Sequence, residues 1–273
     1  MALASRPGRC ANVIGPFVLA PLLAVGVVGC KTTGSGEMTG SIAAPNPAFT
    51  EGEWRREVQA AGELYRANPR EGEVAIRYAR ALRAIGQRAQ AAAVLEQASI
   101  HNAKNRAVLG AYGRALADTG NYAQALDVLT RAHTPDQPDW RILSVQGAVL
   151  DQMGRHEEAR RYYASALRLA PDEPSVLSNL GLSYALSKEL PQAEDTLRRA
   201  ARNGRIDARV RQNLALVVGL RGRYEEAEAI ARADLPPEEA AANVAYLKQV
   251  VAQPSNWSKV PRPSAAAPSP PRT

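Results

Sequence analysis

The sequence is poor in rings: aromatic residues make up 5% of its 273 positions, with three Trp and two Phe. A core short of rings must be built from Ala, Leu and Val, which favours packed helices over strands. Cysteine is scarcer still. Cys10 and Cys30 are the two in the chain, which excludes a disulfide scaffold and every zinc cage needing three or four sulfurs. Three histidines leave a thin stock for metal chemistry. Outside one stretch near the N-terminus, no apolar run approaches membrane-spanning length. Lysine is rare, at five of the 34 basic residues. The net charge of +7 falls to +3 between residues 53 and 253, which hold 28 basic and 25 acidic residues. No cluster forms the basic stripe that nucleic acid requires, so no nucleic-acid partner is expected.

Arg6 and Arg9 precede an apolar run from Val13 to Val28 that is interrupted by Gly15, Pro16 and Pro21. That run is too short and broken for a good membrane span and suits a cleaved leader. It ends in Val27-Val28-Gly29-Cys30, which resembles the lipobox of bacterial lipoproteins. The resemblance implies a signal peptide over 1–29 and lipidation of Cys30, with Val in place of the usual Leu and Ala or Ser. Several acyl chains on one residue give stable anchoring. Lys31 stands where an Asp commonly marks inner-membrane retention, so the resemblance implies an outer-membrane lipoprotein facing the periplasm. Residues 30–52 are rich in Gly, Ser, Thr and Pro and read as a flexible tether. Six of residues 254–273 are Pro, so 253–273 reads as a disordered tail.

Self-comparison gives the strongest signal. Gly86, Gly120, Gly154 and Gly222 are spaced by multiples of 34, with Lys188 in the missing place. Ala91, Ala125, Ala159, Ala193 and Ala227 keep the same period, as do Ala79, Gly113, Gly147, Gly181 and Ala215. Ala98, Ala132, Ala166 and Ala200 form a further series. A Gly between two helical segments suits a left-handed turn. Small residues on both sides let the paired helices approach closely. Leu95, Leu129, Tyr163 and Leu197 supply bulk between layers. Five units follow: 72–105, 106–139, 140–173, 174–207 and 208–241. A leading helix is expected within 53–71 and a capping helix over 236–252, covering the terminal faces that a solenoid exposes.

This pattern resembles the tetratricopeptide repeat. Leu177, Asn179, Leu180, Gly181, Tyr184, Ala193 and Ala200 match its motif, and so do Gly147, Gly154, Ala159, Tyr163, Ala166 and Pro171. The expected fold is therefore all-α, a solenoid of about five helix-turn-helix units with capping helices. From Gly86 to Leu247 the chain goes beyond the generic motif. The segments HTPDQPDWRILSVQGAVLDQMGRHEEA, APDEPSVLSNLGLSYALSK and ADLPPEEAAANVAYL resemble the TadD lipoproteins of Tad (Flp) pilus assembly systems.

No enzyme motif accompanies the repeats. HEEAR at 156–160 begins like a zincin helix, but Arg160 replaces the second His. GCKTTG at 29–34 lacks the spacing of a phosphate loop. No G-x-S-x-G occurs. His101 and His133 fall near the ends of second helices, where a cation suits the helix dipole. No cofactor, metal or small-molecule substrate is expected, and the chain is not expected to be an enzyme.

What the repeat resemblance implies is a concave groove lined by the first helix of each unit. It places Arg80, Arg114, Ala148, Leu182 and Leu216 in one groove-facing series, and Ala84, Asp118, Gln152, Leu186 and Leu220 beside them. The groove then runs from basic to apolar. Asn179 and Asn213 occupy the position whose amides bind a peptide backbone in some relatives. The Lys and Asn of the carboxylate-clamp subclass are missing. The TadD resemblance implies a lipid-anchored adaptor for pilus assembly, with a secretin or another Tad component as partner. A scaffold for cell-wall hydrolases or outer-membrane protein assembly is the competing expectation on the same fold and anchor.

Overall fold

The computed structural model describes residues 49–202 and 207–252; Cys30, most of the tether and the Pro-rich tail lie outside the described residues. Among the described residues there are twelve helices and no strand. The first is α1 (Glu51–Ala67). Five pairs follow: α2 (Gly72–Ala84) with α3 (Arg88–His101), and α4 (Arg106–Asp118) with α5 (Tyr122–Arg131). Then come α6 (Trp140–Gln152) with α7 (His156–Leu169), α8 (Pro174–Leu186) with α9 (Leu190–Ala201), and α10 (Ala208–Leu220) with α11 (Tyr224–Ala231). The last is α12 (Pro237–Ala252).

Local chemistry repeats with the helices. Asn105, Asp139, Glu173 and Asp207 each precede the first helix of a pair, and their side chains accept from its leading amides. These caps satisfy donors that the first turn cannot, each worth about 1 kcal/mol. The helix before each turn closes with a bond from five residues on, such as Arg155 N to Leu150 O at 2.9 Å. That closure needs a left-handed residue. Gly86, Gly120, Gly154 and Gly222 supply it at φ of 76° to 83°, and Lys188 adopts it at φ 63° without glycine's freedom.

Packing explains the small-residue series. A Cβ at Gly147 would lie 2.6 Å from the Tyr163 ring, and one at Gly181 would lie 2.6 Å from Leu197. Each glycine thus lets the first helix of its pair settle onto the second. Leu95, Leu129, Tyr163 and Leu197 are buried to 1% exposure or less. Each such side chain stabilises by roughly 1.5–3 kcal/mol relative to remaining in water.

The first helices stack on one another, with α2 against α4, α4 against α6, α6 against α8 and α8 against α10. Each second helix touches its own partner and the first helix of the next pair. α1 packs on α2 as the second helix of a preceding pair would, and α12 packs on α10 and α11 as a sixth first helix would. The expected all-helical repeat solenoid is the fold observed, and its ends are half-units. Among the described residues no helix is long and apolar enough to cross a membrane.

Candidate partner-binding groove

The stacked first helices carry the face on which the sequence places its groove residues. At the N-terminal end, α2, α4 and α6 surround an open cavity of about 460 Å³. Its charged lining is Glu73, Arg106, Arg114, Asp139 and Arg141. The cavity has a sequence cause. α5 has ten residues where α3 and α7 have fourteen. Pro135 and Pro138 lie in the stretch that would have been its last turn and beyond, where proline ends a helix. The chain instead makes a tight turn, Gln137 N donating to Thr134 O at 3.0 Å. Arg106 Nη1 donates to Gln137 Oε1 at 2.6 Å and ties this turn to α4.

Most charges here are already engaged. Arg83 pairs with Asp118 between α2 and α4. The Asp139 carboxylate accepts from Arg141 N at 2.7 Å, and the Arg141 guanidinium lies 4.4 Å from the Trp140 ring centroid. Arg114 differs. It is half-buried, and its Nε is shielded from solvent with no hydrogen-bond partner. Burial, followed by the neighbouring charge of Arg83, lowers its pKa; Arg141 acts the same way, while Asp139 and Asp118 oppose. Arg80 is exposed and sits away from this cavity, its guanidinium 5.8 Å from the Trp54 ring of α1.

The C-terminal end is apolar. Leu182, Leu216 and Leu220 are half-buried, and Leu186 is 56% exposed. Ala148, Asn179 and their neighbours on α6 and α8 are closed into the stack. Asn179 is buried and donates to Ser144 Oγ at 3.1 Å. One unit later, Asn213 donates to Ser178 Oγ at 2.9 Å. These amides are rungs between adjacent first helices. The sequence contains the matching signal, serines 35 residues before each Asn, but reading it requires the stacking register.

The buried carboxylate of Asp151 was not legible as a site. Asp151 of α6 accepts from Ser183 Oγ at 2.8 Å and Tyr163 Oη at 2.9 Å, and lies 2.8 Å from His156 Nδ1. Burial raises its pKa despite the hydrogen bonds from His156, Ser183 and Tyr163. Ser, His and Asp meet here, but nucleophilic catalysis needs the base beside the nucleophile. Ser183 instead bonds the carboxylate and is fully buried. The cluster joins α6, α7 and α8. His133, just past α5, bonds Gln146 Oε1 of α6 at 3.1 Å. Among the described residues, no group of three or more His, Cys, Asp or Glu is placed to hold a metal.

Sequence models of the tetratricopeptide repeat match residues 86–146, 145–208 and 208–233. Solved structures share the fold at low identity. PilW, described as a widely conserved type IV pilus biogenesis factor, is 17% identical over 71% of this chain and 91% of its own, with a TM-score of 0.61. Pseudomonas aeruginosa PilF is 18% identical over 76% of this chain and 89% of its own, with a TM-score of 0.50. A chain of the Cut9–Hcn1 hetero-tetramer of the APC/C is 16% identical over 73% of this chain, with a TM-score of 0.58; this chain spans 41% of its length. No curated protein matches the sequence.

Proposed function

This chain is a tetratricopeptide-repeat protein, and from that premise we propose that it is a lipid-anchored, non-enzymatic adaptor for pilus assembly at the outer membrane. The observation that carries the reading is the continuous stack of first helices, cationic at α4 and leucine-rich at α8 and α10. Such a face suits one extended partner segment with an acidic and an apolar portion, because opposite charge steers association and apolar anchors hold it. The pilus role draws on the TadD resemblance. PilW, a type IV pilus biogenesis factor, shares the fold, which supports the architecture and leaves the role to be tested. The partner under this reading is a secretin or another Tad component. The anchor is Cys30.

The test is a photocrosslinking side chain at Leu216 in intact cells, with the adduct identified by mass spectrometry. A pilus component in the adduct, lost in the double variant Leu182→Asp/Leu216→Asp, is the expected result. An adduct with a cell-wall hydrolase, or capture unaffected by charging both leucines, overturns it. The anchor is tested separately: Cys30→Ser should abolish labelling by a palmitate analogue, and unchanged labelling removes lipidation from the proposal.

A further inference from the structure

Arg114 carries a positive charge at any working pH, because a guanidinium is not deprotonated in proteins. A charge shielded from water without a partner is costly, and that cost is relieved when an opposite charge arrives. In α4 the Nε of Arg114 is shielded and unpartnered. The Arg114 side chain as a whole lines an open cavity large enough for a side chain. The other arginines there are occupied, Arg106 by Gln137 and Arg141 by Trp140. The nearby Asp118 is held by Arg83, and Asp139 caps α6. Glu73, the remaining acid of the lining, is exposed on α2, while the acids whose charge acts on Arg114 are Asp139 and Asp118; three arginines thus face two acids in the lining. The uncharged wall is mostly small and apolar, including Ile76, Ala107, Ala111 and Ile142, with Gln137 as its polar member.

We propose that the cavity beside Arg114 is a binding pocket for one acidic side chain, Glu or Asp, within an extended apolar partner segment. The inference rests on the reading of this face as the partner groove and adds the chemistry of its first anchor. A fork of guanidinium donors matches a carboxylate in geometry as well as charge. The cleft is open, so a segment can lie across it with its backbone outside and one carboxylate inserted. The small wall residues admit aliphatic neighbours on either side. The pocket lies where α5 stops early, between the first helices of three successive units.

The probe is a blocked pentapeptide, acetyl-Ala-Leu-Glu-Ala-Leu-amide, titrated into the full-length chain. The readout is the Nε–H resonance of Arg114, assigned by its loss in Arg114→Lys. The Glu peptide should move this resonance, and Arg114→Gln should weaken binding about tenfold or more. The same peptide with Gln replacing Glu should leave the resonance in place. The melting temperature of Arg114→Gln should equal or exceed that of the wild-type chain, since a charge without a partner is being removed. Equal shifts from the Gln peptide overturn the proposal. So does binding only of a Gln peptide with a free C-terminal carboxylate, which would make the ligand a chain terminus. A melting temperature lowered by several degrees in Arg114→Gln would assign the residue to the scaffold instead. Because the probe is synthetic, this outcome is independent of which partner the cellular crosslink captures.

Discussion

Asp151 and Glu194 are both buried carboxylates at joints between repeat units, and they are ionised on opposite terms. Asp151 faces two hydroxyls and an imidazole, and burial raises its pKa. Glu194 on α9 is 2% exposed, and burial alone would raise it too. Hydrogen bonds from Arg223, Arg198 and Arg221 outweigh that and hold its carboxyl down at about 2. Arg198 Nε donates to Glu194 Oε1 at 2.8 Å, and its Nη2 donates to Glu226 Oε1 at 2.6 Å. Burial thus ends in opposite outcomes at the two joints, a raised carboxyl pKa in one and a lowered one in the other. Which partners the neighbouring unit contributes decides the difference, Ser183 in one case and two arginines from the loop after α10 in the other.

The largest way to break this comparison is to remove each acid. Glu194→Ala should cost about 3 kcal/mol by chemical denaturation, because three arginines lose their shared counter-charge while each stays partly solvated. Asp151→Ala should cost about 3 kcal/mol, leaving two hydroxyls and an imidazole without their acceptor. Isosteric variants sharpen it further. Glu194→Gln should cost on the order of 2 kcal/mol at neutral pH, while Asp151→Asn should be close to neutral. Equal losses for the two amides would show that the arginines do not set the difference.

Acidity separates the pair by sign. Glu194 has a folded pKa of about 2 against 4.5 unfolded, so the unfolded chain binds its proton first. The stability it contributes is present above pH 4.5 and is lost as pH falls towards 2. Asp151 has a folded pKa above its ordinary 3.8. The folded chain binds that proton first, so stability falls as pH rises through the window above 3.8. Denaturation curves between pH 6 and 2.5 should therefore be flatter in Glu194→Gln and steeper in Asp151→Asn than in the wild-type chain.

A smaller effect reaches the Asp151 joint through packing. Ala159 is fully buried in the cluster that holds Tyr163, and Ala159→Leu should overpack it by about 1–3 kcal/mol. A melting temperature equal to wild type would contradict the close approach of α6 and α7. The smallest effect comes from the turn before Glu194. Lys188→Gly should raise stability by about 0.5–1 kcal/mol, since Lys holds a left-handed conformation that glycine adopts freely.

Much of the fold was legible because the period of 34 marks both the turns and the tight contacts. A glycine at four of the five turns and a small residue where paired helices meet are local requirements, repeated often enough to stand out. Contacts between units were not legible in the same way. Glu194 lies one period after Arg160, so that register holds opposite charges in successive units, and no periodic rule announces either. Arg221 and Arg223 reach it from 27 and 29 residues away. The basic-to-apolar trend along the first helices was visible in Arg114, Leu182 and Leu216. The pocket itself was not, because it arises from the missing last turn of α5 and from charges that cancel elsewhere. Asn179 shows the converse: a motif residue whose amide the fold uses between helices.

The serine–asparagine rungs between α6, α8 and α10 also act as a ruler. Packed helix axes lie about 8–10 Å apart, and the rungs join α6 to α8 and α8 to α10. From α4, which carries Arg114, to α10, which carries Leu216, there are three such steps, about 24–30 Å. An extended strand advances about 3.3 Å per residue. A ligand that reaches both ends of the face must therefore separate its acid from its apolar anchor by about seven to nine residues. The repeat period of the receptor is converted into a spacing rule for the sequence of whatever binds it.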